Sequence, residues 1–321
     1  MQLIIKPTAK CNFNCTFCSA HEMNIECGPS DRVNEKIMDL INHLSPNNII
    51  VTGGDPLCMD PEYYYHLREV SNSTISVTTN LKDFYIHPDK WKNLFMEDWF
   101  YVGTSFQYGN GRMWDSTTVF TEEKFIDVMN KFKEFIPNKS LPPFITVIGY
   151  DNEDRAIDHV LLAKRLNTCT KMNNLLPVGK SSEWYPRYKI YQIYLKIIDE
   201  GLDEYEAYCK TRMQDICPKN MSNKCSNGIR SCYVDRDNNL HVGICDDLLA
   251  EGHELGYDDS YHPKYKPVDP KVFIHEKCAY CQLCMLCNGC NLHRIYAKRD
   301  PNYCSEMKKL EEPLIKAGWA L

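Results

Sequence analysis

Over its first two-thirds the chain alternates six short β-branched or apolar runs with amphipathic stretches. The runs cover residues 3–6, 48–52, 74–79, 99–105, 144–148 and 171–176, and helical patterns lie near 33–44, 61–70, 89–95, 121–135 and 155–166. Such alternation implies βα units and a parallel sheet, since parallel neighbours need a crossover and a helix is the usual one. Right-handed crossovers curl the sheet with its helices outside. Six strands are too few for a closed eight-stranded barrel. In folds of this kind ligands sit at the C-terminal ends of the strands.

Three cysteines stand at the end of the first run. Cys11, Cys15 and Cys18 fall in the stretch C-N-F-N-C-T-F-C. Closely spaced thiolates are what an iron–sulfur cluster needs. A four-iron cube wants four ligands, so three cysteines leave one iron free to bind a small molecule. Structural zinc sites pair C-x-x-C units to reach four ligands, and a lone three-cysteine run fits that poorly. With an aromatic residue, Phe17, just before the third cysteine, the motif resembles that of the radical S-adenosylmethionine (SAM) enzymes. The resemblance implies that the open iron chelates SAM. One electron then cleaves SAM to a 5′-deoxyadenosyl radical, which takes a hydrogen atom from substrate. It also implies a partial (β/α)6 barrel of the α/β class.

The bulk numbers are compatible with this. The 321 residues carry a formal net charge of −6, which argues against a dedicated nucleic-acid binder with its basic face. A hydrophobic content of 43% is enough for a sizeable core. The N-terminus shows no signal-peptide pattern, and no stretch approaches the about 18 consecutive apolar residues of a membrane span. A cytoplasmic protein is expected. Seventeen cysteines in a reducing compartment point to metal ligation rather than disulfides.

Further short motifs follow successive strands. Gly53-Gly54-Asp55-Pro56 resembles the family's G-G-E-P segment, whose backbone contacts the SAM amino group; Asp55 keeps the carboxylate but shortens it. Thr79-Asn80 resembles the family's T-N-G, with Leu81 in place of glycine, so a different turn is expected. Ser105-Phe106-Gln107 resembles the S-[IL]-D segment near the SAM ribose and carboxylate, with Gln107 where aspartate is common. An amide can still bond a hydroxyl but contributes no charge. Pro177-Val178-Gly179 resembles the P-x-G turn on the adenine side.

Past about residue 215 periodicity fades and cysteines become dense. The division expected is a core domain over 1–210 and a cysteine-rich domain over 211–321. The second resembles the SPASM domain, which holds two auxiliary [4Fe–4S] clusters in many peptide-modifying radical SAM enzymes. Cys278, Cys281 and Cys287 match its C-x2-C-x5-C core, and the next spacing is one residue short. The resemblance implies that Cys225, Cys232, Cys245 and Cys290 ligate one auxiliary cluster and Cys278, Cys281, Cys287 and Cys304 the other. Cys284 could trade places with Cys287. Two zinc-ribbon sites are the rival for this region. Asp246 follows Cys245 where the related anaerobic sulfatase maturases carry a candidate general base. Cys27, Cys58, Cys169, Cys209 and Cys217 have no assigned role and read as small apolar residues.

The resulting expectation is an oxidoreductase that modifies a peptide or protein side chain, by crosslinking or oxidation, as in ribosomal peptide maturation. The auxiliary clusters would relay the substrate's electron, and flavodoxin or ferredoxin would supply the reducing electron. The motif begins at residue 11, so the expectation is either that a separate leader-binding protein presents the substrate or that the substrate enters the barrel unaided. The alternatives are formylglycine formation of the sulfatase-maturase kind, dehydrogenation of a small molecule, and, outside catalysis, an iron–sulfur electron carrier.

Overall fold

A computed structural model describes residues 1–20, 23–25, 30–212, 230–243 and 299–319, together with 249, 254, 256, 258, 281, 283, 286, 296 and 297. The chain divides into two compact units. One comprises Met1–Phe144, Val178–Ser181 and Ile229–Tyr265, and the other Ile145–Pro177, Ser182–Gly228 and Lys266–Leu321.

In the first unit the strands are β1 (Gln2–Lys6), β2 (Asn48–Val51), β3 (Thr74–Thr78), β4 (Phe100–Ser105), β7 (Ser231–Val234) and β8 (Leu240–Gly243), in the order β4-β3-β2-β1-β7-β8. The pairs β1–β2, β2–β3 and β3–β4 are parallel, as the alternation implied. Leu3 faces Ile49, and Ile49 faces Ile75 in turn. All three are fully buried, so the register places one apolar row against the helices.

The helices form where caps and apolar spacing agree. In α1 (Glu35–Leu44) the side chain of Asn34 accepts a hydrogen bond from the Lys36 amide at 2.9 Å, and Ile37, Leu40 and Ile41 are buried at i, i+3 and i+4. α2 (Pro61–Ser71) and α4 (Pro88–Met96) each start on a proline, whose missing N–H costs nothing in the first turn. The short α3 (Lys82–Ile86) lies between them. Thr121 caps α5 (Glu122–Phe135), which buries Phe125, Val128, Met129 and Phe132. Phe84, Phe95, Phe100 and Phe132 form an aromatic core, with Phe84 stacked on Phe95 at 5.2 Å. Truncating one of these rings costs about 3–5 kcal/mol.

β7 and β8 were not anticipated from the sequence. β7 adds to β1 in parallel, and β8 returns antiparallel through a turn at 235–239. Asp235 closes that turn by accepting from the Asn239 amide at 2.7 Å and the Asp237 amide at 2.9 Å. His241 stacks on Tyr233 at 4.6 Å and sits between Asp235 (2.9 Å) and Glu254 (2.7 Å).

In the second unit β5 (Phe144–Ile148, beginning at the unit boundary) neighbours β6 (Thr170–Asn174), with α6 (Ala156–Arg165), α7 (Arg187–Asp199) and α8 (Ala207–Thr211) around them. Glu206, fully buried, caps α8 through the Cys209 amide and bonds the Met172 amide of β6. α9 (Tyr303–Lys309) and α10 (Glu311–Lys316) end on Trp319, which stacks on Tyr194. No described helix is long and apolar enough to cross a membrane.

Candidate functional site

The loop that follows β1 carries Cys11, Cys15 and Cys18 and is held at several points. Phe13 is buried between Trp114 (5.4 Å) and Phe120 (5.1 Å). Residues 111–113 run alongside the loop: the Thr16 amide donates to the Gly111 carbonyl at 2.9 Å, and the Asn14 amide to the Met113 carbonyl at 3.2 Å. Lys82 Nζ donates to the carbonyls of Asn12, at 3.1 Å, and Trp114. At the far end the Lys180 amide donates to the Cys18 carbonyl at 3.1 Å, and Lys180 Nζ to Asn14 Oδ1 at 2.8 Å.

Glycines make two of these approaches possible. A Cβ on Gly54 would lie 2.0 Å from the Lys10 carbonyl oxygen, so only glycine lets the end of β2 reach the loop. The amides of Gly54 and Asp55 donate to the carbonyls of Thr8 (2.8 Å) and Lys10 (2.7 Å). Gly179 has φ +66 and would place a Cβ 2.4 Å from the Cys18 carbonyl oxygen. Pro177, two residues earlier, closes the preceding segment of the second unit.

Asp55 is buried and saturated. Its carboxylate accepts from the Thr79 hydroxyl (2.8 and 3.0 Å), the Asn80 amide (2.7 Å) and the Leu57 amide (2.9 Å), with Pro56 starting the short 3-10 turn that it caps. Burial raises its pKa, and these donors oppose the shift. Asn80 then reaches the loop itself, with Nδ2 donating to Asn12 Oδ1 at 2.7 Å and lying 3.8 Å from Cys11 Sγ. Leu81 adopts φ +61, the left-handed conformation that glycine takes freely, and its side chain is fully buried. The turn therefore stays in the region a glycine would occupy, at a strain of about 1–2 kcal/mol offset by burial.

The end of β4 completes the surroundings. Ser105 Oγ accepts from Arg112 Nη1 at 2.9 Å, and the Arg112 guanidinium lies 5.2 Å from the centre of the Phe17 ring. Gln107 and Arg112 are both buried, yet among the described residues Gln107 Oε1 and Arg112 Nε have no hydrogen-bond partner. Burial lowers the Arg112 pKa, while Cys15, Cys11, Cys18 and Asp55 act in the opposite direction. Sequence reasoning missed Arg112, Lys82 and Asn12. The only pointer was a Gly-x-Gly, Gly109-Asn110-Gly111, just before Arg112.

Cys11 is exposed and Cys15 and Cys18 are half-buried; partial desolvation of the Cys11 sulfur and the nearby Asp55 nevertheless raise the Cys11 thiol pKa. A bare thiol there stays protonated, so a bound cation is what would hold it as thiolate. Among the described residues no three His, Cys, Asp or Glu side chains are arranged around one metal ion. A four-iron cube spreads its thiolates over separate irons, so its ligands need not converge on one point. A loop of three thiols faced by a guanidinium, with one orphaned donor and one orphaned acceptor beside it, fits a cysteine-ligated cluster and a polar co-ligand.

Of the cysteines expected further on, Cys232 lies in β7 opposite Ile5 and Val242, is fully buried, and has a thiol pushed to about 12 by desolvation. Cys281 is half-buried, and Cys304 is exposed in α9. Cys225, Cys245, Cys278, Cys287, Cys290, the alternative Cys284 and Asp246 lie outside the described residues. Cys209 is buried, and Cys58 and Cys169 are half-buried.

Comparison with known proteins gives a family and a fold. Residues 5–163 match the Radical SAM superfamily. Among solved structures, native anSMEcpe with bound AdoMet and Cp18Cys peptide superimposes with a TM-score of 0.64 at 18% identity, covering 98% of each chain. Streptococcus suis SuiB bound to precursor peptide SuiA does so with a TM-score of 0.61 at 15% identity, covering 94% of this chain and 73% of SuiB. At these identities the likeness is one of fold. No curated protein sequence matches.

Proposed function

Because the chain carries a radical SAM domain over residues 5–163, we propose that it cleaves SAM reductively and oxidatively modifies a peptide or protein side chain. The family implies SAM and a [4Fe–4S] cluster; when bound, they supply a 5′-deoxyadenosyl radical able to take hydrogen from an unactivated carbon. The observation that carries the reading is the arrangement of Cys11, Cys15 and Cys18 on one loop, pinned by Asn80, Lys82, Gly111 and Lys180.

In this reading the chain's own residues do the positioning. The three thiolates hold the cluster. Gly53, Gly54 and Pro56 let the β2 end lie against the loop, and Asp55 fixes Thr79 and Asn80. Gln107 Oε1 offers an acceptor to a ribose hydroxyl, Ser105 and Phe17 orient Arg112, and Pro177 and Gly179 shape the remaining turn. A SPASM-like region would add two auxiliary clusters, one on Cys225, Cys232, Cys245 and Cys290 and one on Cys278, Cys281, Cys287 and Cys304. Asp246 is proposed as the substrate's base. The peptide-bound states of anSMEcpe and SuiB support a peptide substrate, with a flavodoxin- or ferredoxin-type donor.

The test is anaerobic reconstitution followed by iron and sulfide counting and a 5′-deoxyadenosine assay under dithionite. Wild type is compared with the Cys11/Cys15/Cys18→Ala variant. About twelve irons falling to about eight, with deoxyadenosine formed only by wild type, supports the full reading. Absence of deoxyadenosine from an iron-loaded wild type sinks it in favour of an electron carrier.

A further inference from the structure

Arg112 is placed by backbone pairing. It stands between Gly111, whose carbonyl accepts from the Thr16 amide, and Met113, whose carbonyl accepts from the Asn14 amide. That puts it opposite Cys15. Its guanidinium is held by Ser105 Oγ at 2.9 Å and by the Phe17 ring at 5.2 Å, and only 8% of the residue is exposed. These contacts orient the charge without neutralising it.

No carboxylate among the described residues pairs with it. Asp55 acts on it electrostatically, but its oxygens are already taken by Thr79, Asn80 and Leu57. Gln107, also buried, brings its amide 3.3 Å from where a Gly111 Cβ would sit, and an amide carries no charge. A buried cation without an anion is costly. Arginine cannot escape the cost by losing its proton. The groups that favour its charge are Asp55 and the three loop cysteines, Cys15, Cys11 and Cys18, which become anions only when they hold a cluster.

We propose that Arg112 is the built-in counter-charge of the cysteine loop, and that it raises the reduction potential of the cluster that Cys11, Cys15 and Cys18 hold. The inference rests on the radical SAM reading. The step concerned is transfer of one electron from a one-electron reductant to the cluster, with no bond made or broken and no proton moved. The added negative charge would face a fixed positive charge that is itself buried, so the reduced state gains more than the oxidised state. Gln107 is part of the same device, because a carboxylate at that position would cancel the field. Arg112 is thus a positioning residue for charge.

The experiment is an electron paramagnetic resonance redox titration of the reconstituted full chain. It uses wild type, Arg112→Gln, Arg112→Lys and Gln107→Glu, with dithionite as reductant. The signal of the loop cluster is the one that disappears in Cys15→Ala. Arg112→Gln and Gln107→Glu are expected to lower its midpoint potential at unchanged iron content, and Arg112→Lys to stay near wild type. A purely structural role would lower iron content and leave the potential of the loaded fraction in place. If Arg112→Gln retains its iron at an unchanged potential, the proposal is overturned. If that variant loses its iron, an unchanged potential in Gln107→Glu overturns it equally. Should Cys15→Ala remove no signal from wild type, the radical SAM reading falls and takes this inference with it.

Discussion

Two buried charges face the cysteine loop and are treated in opposite ways. Asp55, at the end of β2, has its carboxylate filled by the Thr79 hydroxyl and the amides of Asn80 and Leu57. The guanidinium of Arg112, beyond β4, has one hydrogen bond, to Ser105, and an orphaned Nε among the described residues. A saturated charge is structural, since its partners come from the chain itself. An unsaturated one is held ready for an anion from elsewhere. The difference separates residues that build this site from residues that meet what it binds.

The largest effect expected from that contrast is for Asp55→Ala. It strands three buried donors and should cost about 3 kcal/mol or more in urea unfolding; a loss below about 1 kcal/mol would break the comparison. Next is Gly54→Ala. Its Cβ would meet the Lys10 carbonyl oxygen at 2.0 Å, so the loop or strand must move. About 1–3 kcal/mol of stability and most of the loop-bound iron should be lost; iron analysis showing full loading would refute that. Arg112→Met should behave the other way. In metal-free protein it removes an uncompensated charge, so stability should be unchanged or higher by about 1 kcal/mol. A clear destabilisation of the apo chain would make Arg112 structural, like Asp55.

The smallest effect concerns a half-buried and fully paired charge, His241 between Asp235 and Glu254. Desolvation acts to lower its pKa, but hydrogen bonds to the two carboxylates win and raise it. A raised folded-state pKa means the stabilisation is fully present below about pH 6.5 and is lost as pH rises through the folded value. A melting-temperature profile from pH 5.5 to 8.5 should show this loss in wild type and a flatter curve in His241→Gln. Parallel curves would mean that the pairing contributes nothing.

The parallel strands of the first unit were legible because each is an apolar run bounded by turn residues, and Ile49 or Val77 could not sit elsewhere. β7 and β8 were not. Four residues such as Ser-Cys-Tyr-Val or Leu-His-Val-Gly are too short to show a period, and their strand state comes from pairing with β1, which is non-local. Gly54 was readable as a close approach. What it approaches, the Lys10 carbonyl, is a tertiary fact. Arg112 left almost no trace, because an irregular loop has no periodicity and the segment it runs beside, with Phe17, lies about 95 residues upstream.

The cysteine loop is fastened at residues 12, 14, 16 and 18 by contacts made wholly within protein. None of these contacts needs a bound metal, so the segment is expected to keep its form when empty. Losing its metal is then a reversible injury rather than an unfolding event. A chain stripped by oxygen would still offer a ready template, and repair would need only iron, sulfide and reductant, with no refolding step.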